Sequence, residues 1–220
     1  MSDLTLIIPA KNEKESLPKV LDELVKYNLK KNIILEASDK TTIEAIKTYD
    51  CRIIFQDSKG YGDALKKGIE TVETKFFCIF NADGSFDKND LSKMLERNHD
   101  SDFVYTSRYL KDAGSEDDTI ITFIGNKFFS LLGKILFSLR ISDILYTFVM
   151  GKTKSFNELK LKSIDFTLCV EFPIKAKKKK FILGTLPSYE RARIGGKKKV
   201  NEFKDGLLIL IKMITMFFNK

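Results

Sequence analysis

The sequence predicts an α/β fold with a mostly parallel, doubly wound sheet and helices on both of its faces. Short apolar runs rich in β-branched and aromatic residues alternate with segments of helical periodicity through the first half of the chain. Strand–helix alternation of this kind is typical of a parallel sheet. With 220 residues, of which 43% are hydrophobic, the chain is long enough for one domain with a sizeable core.

Five strands and four helices are predicted in order. The strands are Leu4–Pro9, Asn32–Ala37, Arg52–Phe55, Phe76–Phe80 and Phe103–Thr106, and the helices between them are Glu13–Tyr27, Thr41–Thr48, Tyr61–Val72 and Asn89–Asn98. In the first helix Leu17, Val20, Leu21 and Leu24 recur at i, i+3, i+4 and i+7, which indicates an amphipathic helix. In the fourth, Asp87 or Asn89 can cap the N-terminus.

The second half of the chain contains two long apolar stretches. Ile120–Leu139 is apolar nearly all round, broken by Lys127, Lys134 and glycine, and a helical apolar pattern runs from Phe203 to Phe218. Neither is a convincing transmembrane span, and the second has roughly a dozen apolar residues where about 20 are needed. Both suit helices that lie in a bilayer interface with lysines toward the headgroups. The alternative is that they pack on the sheet or on a second subunit of a homo-oligomer.

The basic charge is concentrated in one segment. The chain carries a net +8, and Lys175–Lys204 holds eleven lysines and arginines against two acidic residues. We call this segment the basic patch. It suits an anionic partner such as a membrane surface or a phosphorylated lipid, or it is simply a solvated face. It contains few stacking aromatic residues and no nucleic-acid-binding motif, so we expect no nucleic acid partner.

The cysteines and the N-terminus suggest a cytoplasmic protein. Cys51, Cys78 and Cys169 are widely spaced, with no C-x-x-C pair, and are interpreted as reduced side chains. Nothing at the N-terminus has the pattern of a signal peptide. We therefore expect a cytoplasmic protein that associates peripherally with the inner face of a membrane.

Four segments fall at the carboxyl ends of successive predicted strands, where an open α/β sheet binds its ligand. They are Ile8–Glu13 with a Pro-led turn, the acidic Glu36–Asp39, the Gly-rich Lys59–Ala64 and Asn81–Ser85. The last delivers Asp83, a carboxylate suited to hold a hard divalent cation against a phosphate. Taken alone, Asp83 could equally cap the next helix.

In this order and at these intervals, the segments resemble the family 2 glycosyltransferases with the GT-A fold, a Rossmann-like nucleotide-diphospho-sugar transferase fold. The most similar branch transfers sugar to polyprenyl (dolichyl) phosphate. The resemblance covers residues 4–110 well and continues loosely to about Val200. Its later matches are Ser107-Arg108-Tyr109, Glu171 with Lys175, and Arg193–Val200, which resembles the family's Arg-x-x-Gly-x-Ser-Lys loop.

The resemblance implies a nucleotide-sugar-binding half at residues 1–110, an acceptor-side half of the same domain at 111–200, and a C-terminal amphipathic helix at 201–220. It also implies roles for individual residues. Those that would bind substrate are Pro9, Lys11, Asn12, Glu13, Glu36, Asp63, Asn81, Ser85, Arg193 and Lys199. Asp83 would coordinate Mg²⁺ or Mn²⁺ on the donor diphosphate, with Ser85 as a further ligand. Asp83 and Arg108 are the expected catalytic residues, Arg108 as a cationic contact to phosphate.

Asn81 departs from the family pattern. It stands where the family has the first carboxylate of its Asp-x-Asp metal motif, which removes one negative charge. An amide carbonyl can still offer oxygen to a hard cation, so metal binding should weaken without necessarily vanishing. Lys11 likewise replaces an aromatic or small residue and could itself offset diphosphate charge.

We therefore expect an inverting hexosyltransferase that moves sugar from a UDP- or GDP-sugar to a lipid phosphate. Such an acceptor is already ionised and needs no general base, and the base candidates Asp117, Asp118 and Asp143 fit loops or caps equally well. His99, the only histidine, is expected to be inert. The alternatives are transfer to a glycan or glycolipid hydroxyl, a nucleotidyltransferase, and a degenerate, non-catalytic membrane-surface module.

Overall fold

A seven-stranded sheet forms the centre of the computed structural model, which describes residues 2–196 and 198–219. Its strands are β1 (Leu4–Pro9), β2 (Lys30–Leu35), β3 (Arg52–Phe55), β4 (Phe76–Ile79), β5 (Phe103–Ser107), β7 (Val149–Lys152) and β8 (Leu183–Pro187). They are ordered β3-β2-β1-β4-β7-β5-β8, and β7 is antiparallel to both of its neighbours. The short strands β6 (Gly114–Ser115) and β9 (Tyr189–Glu190) pair separately, in parallel. The mostly parallel sheet predicted from the sequence is confirmed.

Helices cover both faces of this sheet. They are α1 (Leu17–Leu24), a 3₁₀ turn at Val25–Tyr27, α2 (Lys40–Ile46), α3 (Tyr61–Glu70), α4 (Asp90–Arg97), α5 (Ile120–Phe137), α6 (Thr153–Glu158), α7 (Leu168–Lys178) and α8 (Glu202–Phe218). All nine elements predicted for the first half of the chain are present. The second strand lies two residues earlier than predicted, so Glu36 and Ala37 follow it.

The first helix begins four residues later than predicted because a hydrogen-bonded turn precedes it. The Ser16 hydroxyl donates to Glu13 Oε2 at 2.6 Å, and the Leu17 N–H donates to the Glu13 carbonyl at 2.9 Å. Pro18 then occupies the first turn of α1, where its missing N–H costs no helical hydrogen bond. The turn leaves Glu13 at the edge of the sheet instead of on the helix.

Strand alternation divides the core into two layers. In β1, Leu4, Leu6 and Ile8 pack with the apolar residues of α1, α2 and α4 on one face of the sheet. Ile7 points to the other face and packs in the layer that includes α3, α6, α7 and α8. Since side chains of a strand point alternately to opposite faces, a strand that is apolar throughout must be covered on both sides.

One edge of the sheet collects the chain segments that carry the predicted site. Strands β1, β2 and β4 run parallel, and their carboxyl ends lead to Pro9–Glu13, Glu36 and Asn81–Ser85. β5 and β8 are parallel to each other and antiparallel to β7, which makes them run in the same direction as β4. Their carboxyl ends therefore bring the segments beginning at Arg108 and Ser188 to the same edge.

Helices α5 and α8 pack against each other and leave apolar side chains exposed to solvent. We call these side chains the apolar face; they include Ile120, Ile124, Leu131, Ile135, Phe203, Leu207, Ile211 and Phe218. Among the described residues, α5 is the one helix long and apolar enough to cross a membrane, in contrast to our expectation from the sequence. Phe129 and Gly133 on its other side are buried against the protein.

A buried carboxylate connects α7, α8 and the segment before α7. Glu171 accepts hydrogen bonds from the N–H groups of Lys162 at 3.0 Å and Ser163 at 2.7 Å. Its carboxylate also pairs with the ammonium groups of Lys175 at 2.8 Å and Lys212 at 3.5 Å. Burial alone would raise the pKa of Glu171, but the hydrogen bonds from Lys175 and Ser163 outweigh it and lower the pKa to about 2. The ionised form is therefore part of the fold.

Replacing Glu171 with glutamine should destabilise the protein in a pH-dependent way. At pH 7 we expect a loss of about 1–3 kcal/mol in the free energy of unfolding, because charge-assisted hydrogen bonds are lost inside the protein. Because the pKa of Glu171 is lower in the folded protein, its ionisation stabilises the fold fully at pH values above the ordinary pKa of 4.5. This contribution to the free energy of unfolding disappears as the pH falls toward about 2. Urea unfolding should show a smaller difference in the free energy of unfolding between the variant and the wild type at pH 3 than at pH 7. Glu158→Gln, at an exposed position, is the matched control, and equal unfolding curves for the two variants at pH 7 would show that the Glu171 carboxylate does not stabilise the fold.

Candidate active site

A cleft of about 580 Å³ opens at the carboxyl edge of the sheet. One wall is polar and is built from the strand ends, and the other includes residues of α5 and α8. Nine of the predicted site residues line it: Pro9, Lys11, Glu13, Glu36, Asn81, Asp83, Arg108, Arg193 and Lys199. The topology of the sheet thus brings together side chains from five separate parts of the sequence.

Asp83 is held in a fixed orientation at the end of β4. Its Oδ1 accepts hydrogen bonds from the Ser85 N–H at 3.0 Å and the Ser85 hydroxyl at 2.7 Å. Asn81 in turn donates its side-chain N–H to the Ser85 hydroxyl at 3.3 Å. The second oxygen, Oδ2, lies 3.5 Å from a guanidinium nitrogen of Arg193. One carboxylate oxygen is therefore used for positioning, and the other faces a cation.

The loop Arg191–Gly196 docks directly on the segment that carries Asp83. The Ile194 N–H donates to the Asp83 carbonyl at 2.8 Å, and the Arg191 N–H donates to the Ser85 carbonyl at 2.8 Å. Gly84 has a φ of +83°, and a Cβ there would lie 2.4 Å from Ile194 Cδ1. A glycine at position 84 therefore satisfies both the left-handed backbone and the close approach of the loop.

Arg193 on this loop bridges two acidic residues across the cleft. Its Nε donates to Asp117 Oδ2 at 2.8 Å, while its Nη1 lies near Asp83. The guanidinium compensates the negative charge of both carboxylates. Because a guanidinium also matches the oxygens of phosphate groups, Arg193 lies where it can exchange one anionic partner for another.

Glu13 and Lys199 join the same loop region to the first strand end. Lys199 Nζ lies 3.3 Å from Glu13 Oε1, and a Cβ at Gly196 would lie 2.5 Å from Glu13 Oε2. Gly196 has a φ of +78°, again a backbone conformation that favours glycine. Lys197, inside the predicted Arg193–Val200 segment, lies outside the described residues. Glu13 therefore contacts the loop, in addition to lining the cleft as predicted.

Lys11 and Glu36 form an ion pair at the β1–β2 end of the cleft. Lys11 Nζ donates to Glu36 Oε1 at 2.9 Å. This hydrogen bond lowers the pKa of Glu36, so the carboxylate stays ionised at neutral pH. Both side chains remain partly accessible at the rim of the cleft. A nucleoside can therefore contact both side chains. Binding of the substrate is the role that the family resemblance implies for Glu36.

Arg108 is almost fully engaged with carboxylates. It donates to both oxygens of Asp143, at 2.8 Å and 2.9 Å, and to Glu190 Oε2 at 3.0 Å. Its guanidinium also lies over the Tyr146 ring, 4.5 Å from the centroid. Three of its five N–H groups are used in this way. Arg108 lines the cleft, and its geometry fits a residue that holds the carboxylates of Asp143 and Glu190 in place. Its expected contact to phosphate stays a prediction.

Three predicted substrate-binding residues do not line the cleft. Asn12, with a φ of 55°, forms part of a turn in which its N–H donates to Asp39 Oδ2 at 2.7 Å. Asp63 accepts the Ser58 N–H at 2.9 Å and thereby holds the turn before α3. Ser85 is buried beneath Asp83, where it orients the carboxylate instead of facing a ligand. All three act on the local backbone or on a neighbouring side chain.

The Gly-rich segment before α3 serves packing in this structure. A Cβ at Gly60 would lie 2.1 Å from the Ile164 carbonyl oxygen, and one at Gly62 would lie 2.7 Å from that of Asp165. The close approach brings Tyr61 into the cleft wall, stacked on Phe166 with centroids 5.0 Å apart. The family resemblance implied that this turn faces the nucleoside; Gly60 and Tyr61 line the cleft, and the glycines also allow close packing against residues 164–165.

Glu190 is a cleft residue that the sequence analysis missed. It is buried, and burial raises its pKa above the ordinary value although Arg108 and the Ser115 hydroxyl, 2.5 Å away, act in the opposite direction. Pairing of β6 with β9 places it there, next to Asp117 and Asp118. Its one sequence signal is that it is acidic within the basic patch, three residues before Arg193.

The donor atoms of the cleft fit a divalent cation that is shared with a ligand. Among the described residues no group of three or more carboxylates, thiols and imidazoles is placed to hold a metal. At the end of β4, Asp83 Oδ2 and the carbonyl oxygen of Asn81 can offer ligands to such a cation, since the Asn81 N–H points to Ser85 and Ser85 occupies only Asp83 Oδ1. Mg²⁺ commonly binds through one or two protein oxygens and completes its shell with phosphate and water.

Comparison with known sequences assigns the chain to a family. The model of glycosyl transferase family 2 matches residues 5–160, well over half of the chain. This range includes the ends of β1, β2, β4 and β5 and therefore most of the polar wall of the cleft. The chain belongs to glycosyl transferase family 2, as its motifs predicted.

Curated relatives match only part of this chain. An uncharacterized glycosyltransferase of Mycobacterium tuberculosis is 28% identical over 92 residues, which span 42% of this chain and 42% of the relative. A dolichyl-phosphate beta-glucosyltransferase of Dictyostelium discoideum is 26% identical over 115 residues, covering 44% of this chain and 35% of the relative. The matches thus span less than half the length of these relatives.

Solved structures share the fold over nearly the whole chain. Glucosyl-3-phosphoglycerate synthase from Mycobacterium tuberculosis, in complex with Mn²⁺, UDP and glucosyl-3-phosphoglycerate, superposes with a TM-score of 0.73 at 11% identity, covering 98% of this chain and 80% of that one. Mannosyl-3-phosphoglycerate synthase from Rubrobacter xylanophilus gives 0.70 at 11% identity, with coverage of 97% and 73%. At this identity the likeness establishes the GT-A type of fold.

Proposed function

We propose that this protein transfers a sugar from a nucleoside-diphosphate donor to a lipid phosphate at a membrane surface. One observation carries the proposal. The same cleft holds Asp83, Arg193 and Lys199 on one side and meets, on the other, two helices that present apolar side chains to solvent. The nucleoside-diphosphate donor and the lipid phosphate are both anionic where they react, and the lipid also has an apolar chain. The two substrates together therefore match the charged side and the apolar side of the cleft.

The donor site is assigned to the β1, β2 and β4 ends of the cleft. Pro9, Lys11 and Glu36 lie where they can contact the nucleoside, and Arg193 and Lys199 lie where they can contact its diphosphate. Membership of glycosyl transferase family 2 supports such a donor, as does the UDP bound to a protein of the same fold. Uracil and guanine are both compatible with the polar rim.

Asp83 and Asn81 would hold Mg²⁺ or Mn²⁺ together with the donor diphosphate, a cation that neutralises negative charge on the leaving group. Mn²⁺ in the structure of the glucosyl-3-phosphoglycerate synthase supports this assignment. Ser85 keeps Asp83 oriented through its two hydrogen bonds. As the diphosphate arrives, Arg193 exchanges its contact with Asp83 for one with phosphate.

A lipid phosphate explains the acceptor side of the cleft. A phosphate oxygen of the acceptor attacks the anomeric carbon as the bond from that carbon to the donor diphosphate breaks, with inversion. The nucleophile is already ionised, so no protein base has to remove a proton. The name of the Dictyostelium relative, which acts on dolichyl phosphate, supports this acceptor class.

The arrangement of charge around the apolar face supports membrane association, which we propose to occur at the cytoplasmic surface. Lys178 donates to the Met216 and Asn219 carbonyls at the C-terminal end of α8, and Lys198, Lys199 and Lys204 lie at or before its first turn. The lysines of the basic patch thus flank the apolar side chains of α8 at both ends. An anionic bilayer would contact both at once.

Replacing Asp83 with alanine should abolish metal-dependent nucleotide binding. Calorimetric titration with UDP and with GDP, each with and without Mn²⁺, should show one nucleotide whose binding requires the metal in the wild type. The variant should lose at least tenfold in affinity, because the carboxylate facing the cation is gone. Asp100→Ala, at an exposed position before β5, is the control. Wild-type protein that binds neither nucleotide would favour a degenerate, non-catalytic module.

Glu190→Gln separates a lipid phosphate from a hydroxyl acceptor. Glu190 is the cleft carboxylate whose pKa is raised by burial, which is the property that a general base for a hydroxyl requires. For a phosphate acceptor we expect transfer to stay within about tenfold of the wild type, since glutamine keeps the bond from Ser115. A hydroxyl acceptor predicts a loss of about 10²–10⁴-fold and wild-type activity that rises with pH through the raised pKa.

Anionic liposomes should bind the protein at low salt and release it as the salt concentration rises, because charges at a surface are screened. The double variant Ile124→Asp with Leu207→Asp should bind at least tenfold more weakly in sedimentation assays. Val25→Asp, at an exposed apolar position beyond α1, is the control for an added charge. Equal sedimentation of the double variant and the control would exclude the apolar face as the membrane contact.

A further inference from the structure

We infer that the hydrocarbon chain of the acceptor leaves the cleft through a slot between α5 and α8 that Gly125 and Gly206 keep open. The inference rests on the proposed lipid-phosphate acceptor and assigns a place and a size limit to its apolar part. It begins from two glycines whose positions neither backbone geometry nor packing explains.

Gly125 and Gly206 differ from the other glycines of the chain. Of the twelve glycines, these are the two at which an added Cβ would meet no atom of the described residues within 4 Å. On the same helix, a Cβ at Gly133 would lie 3.1 Å from Ile144 Cδ1, so that glycine allows close packing. A glycine inside a helix costs about 1 kcal/mol relative to alanine. At Gly125 and Gly206 this cost is not offset by closer packing, because the space that a side chain would occupy stays open.

The open space belongs to the cleft. Both glycines line it, each from the interior of a long helix, and α5 and α8 pack against each other. Around them the wall passes from buried to exposed apolar side chains. Phe129 and Ile209 are 8% and 4% exposed at the inner end, whereas Ile121 and Phe203 are 58% and 81% exposed at the outer end. The slot therefore leads from the cleft to the apolar face.

The chemistry of this wall favours a hydrocarbon chain over a peptide. Asn126 already donates its side-chain N–H to the Tyr109 hydroxyl at 3.0 Å, and Thr122 donates to Asp118. A peptide laid in the slot would bury main-chain N–H and C=O groups beside apolar side chains, whereas a hydrocarbon chain has no hydrogen bonds to lose. Burial of each CH₂ contributes roughly 0.8 kcal/mol.

Charge beside the first turns of α5 and α8 specifies what the chain is attached to. Arg193 and Lys199 line the same cleft, and Lys127, on the helix that carries Gly125, lies over the Tyr109 ring at 4.4 Å. An anionic headgroup placed at Arg193 and Lys199 leaves the attached chain to run along the apolar side chains that α5 and α8 contribute to the cleft, which are Ile121, Phe129, Phe203 and Ile209. The slot therefore selects a phosphate that carries a long, flexible apolar chain.

Leucine at either glycine should fill the slot. Gly125→Leu and Gly206→Leu place a bulky side chain in open space and improve helix propensity, so both variants should fold at least as stably as the wild type. We expect each to bind a long-chain polyprenyl phosphate at least tenfold more weakly. Affinity for a water-soluble phosphate with a two-isoprene chain should change less than threefold, and nucleotide binding should be unchanged.

Three controls make the test decisive. Val25→Phe enlarges an exposed apolar side chain beyond α1 that does not line the cleft and should leave long-chain binding intact. Gly125→Ala, a smaller addition at the same position, should give an intermediate loss and serves if a leucine variant is unstable in thermal unfolding. Polyprenol without its phosphate should compete at least tenfold less well than the polyprenyl phosphate.

Several results would overturn the inference. Undiminished long-chain binding in both leucine variants would show that the chain runs elsewhere. Equal losses for the long-chain and short-chain phosphates would place the effect at the headgroup, and equal competition by polyprenol would make the slot unspecific. Wild-type protein that binds nucleotide but neither prenyl phosphate would contradict the proposed acceptor itself, a result separate from any effect of the glycines.

Discussion

The docking of the Arg191–Gly196 loop on the end of β4 is the contact on which the candidate active site depends. Two main-chain hydrogen bonds, from Ile194 to Asp83 and from Arg191 to Ser85, join a late part of the sequence to the middle of the sheet. They bring a guanidinium to Asp83, and Lys199 continues the attachment to Glu13. Without this loop, Asp83 would remain at the sheet edge, but its cationic neighbours would not be in the cleft.

The cleft combines two environments that usually exclude each other. Its polar wall is made of paired charges, in which Arg108 and Arg193 are surrounded by carboxylates. Its apolar wall belongs to helices that the rest of the protein leaves half uncovered. Charged groups in a partly dry site interact more strongly than in water. The proposed substrates would exchange these internal ion pairs for contacts with phosphate, while the apolar wall excludes solvent from one side.

The sequence allowed the sheet, the flanking helices and nine cleft residues to be predicted, because strand ends in a parallel sheet converge on one edge. It could not distinguish residues that face a ligand from those that hold the backbone. Asn12, Asp63 and Ser85 match motif positions, yet their hydrogen bonds go to the chain itself. Glu190 was missed because its position depends on the pairing of β9 with β6, a two-residue contact without a sequence pattern.

The antiparallel strand β7 has a consequence for the order in which the molecule can assemble. β7 lies between β4 and β5 in the sheet, yet it follows β5 in the chain by about forty residues. During synthesis β1 to β4 can pair as they emerge, whereas β5 has no neighbour among them and must wait for β7. Pairing between distant segments slows folding because a long loop must close first. The part of the sheet formed by β1 to β4 can therefore form early, and β5 joins it only when residues beyond Lys152 have left the ribosome.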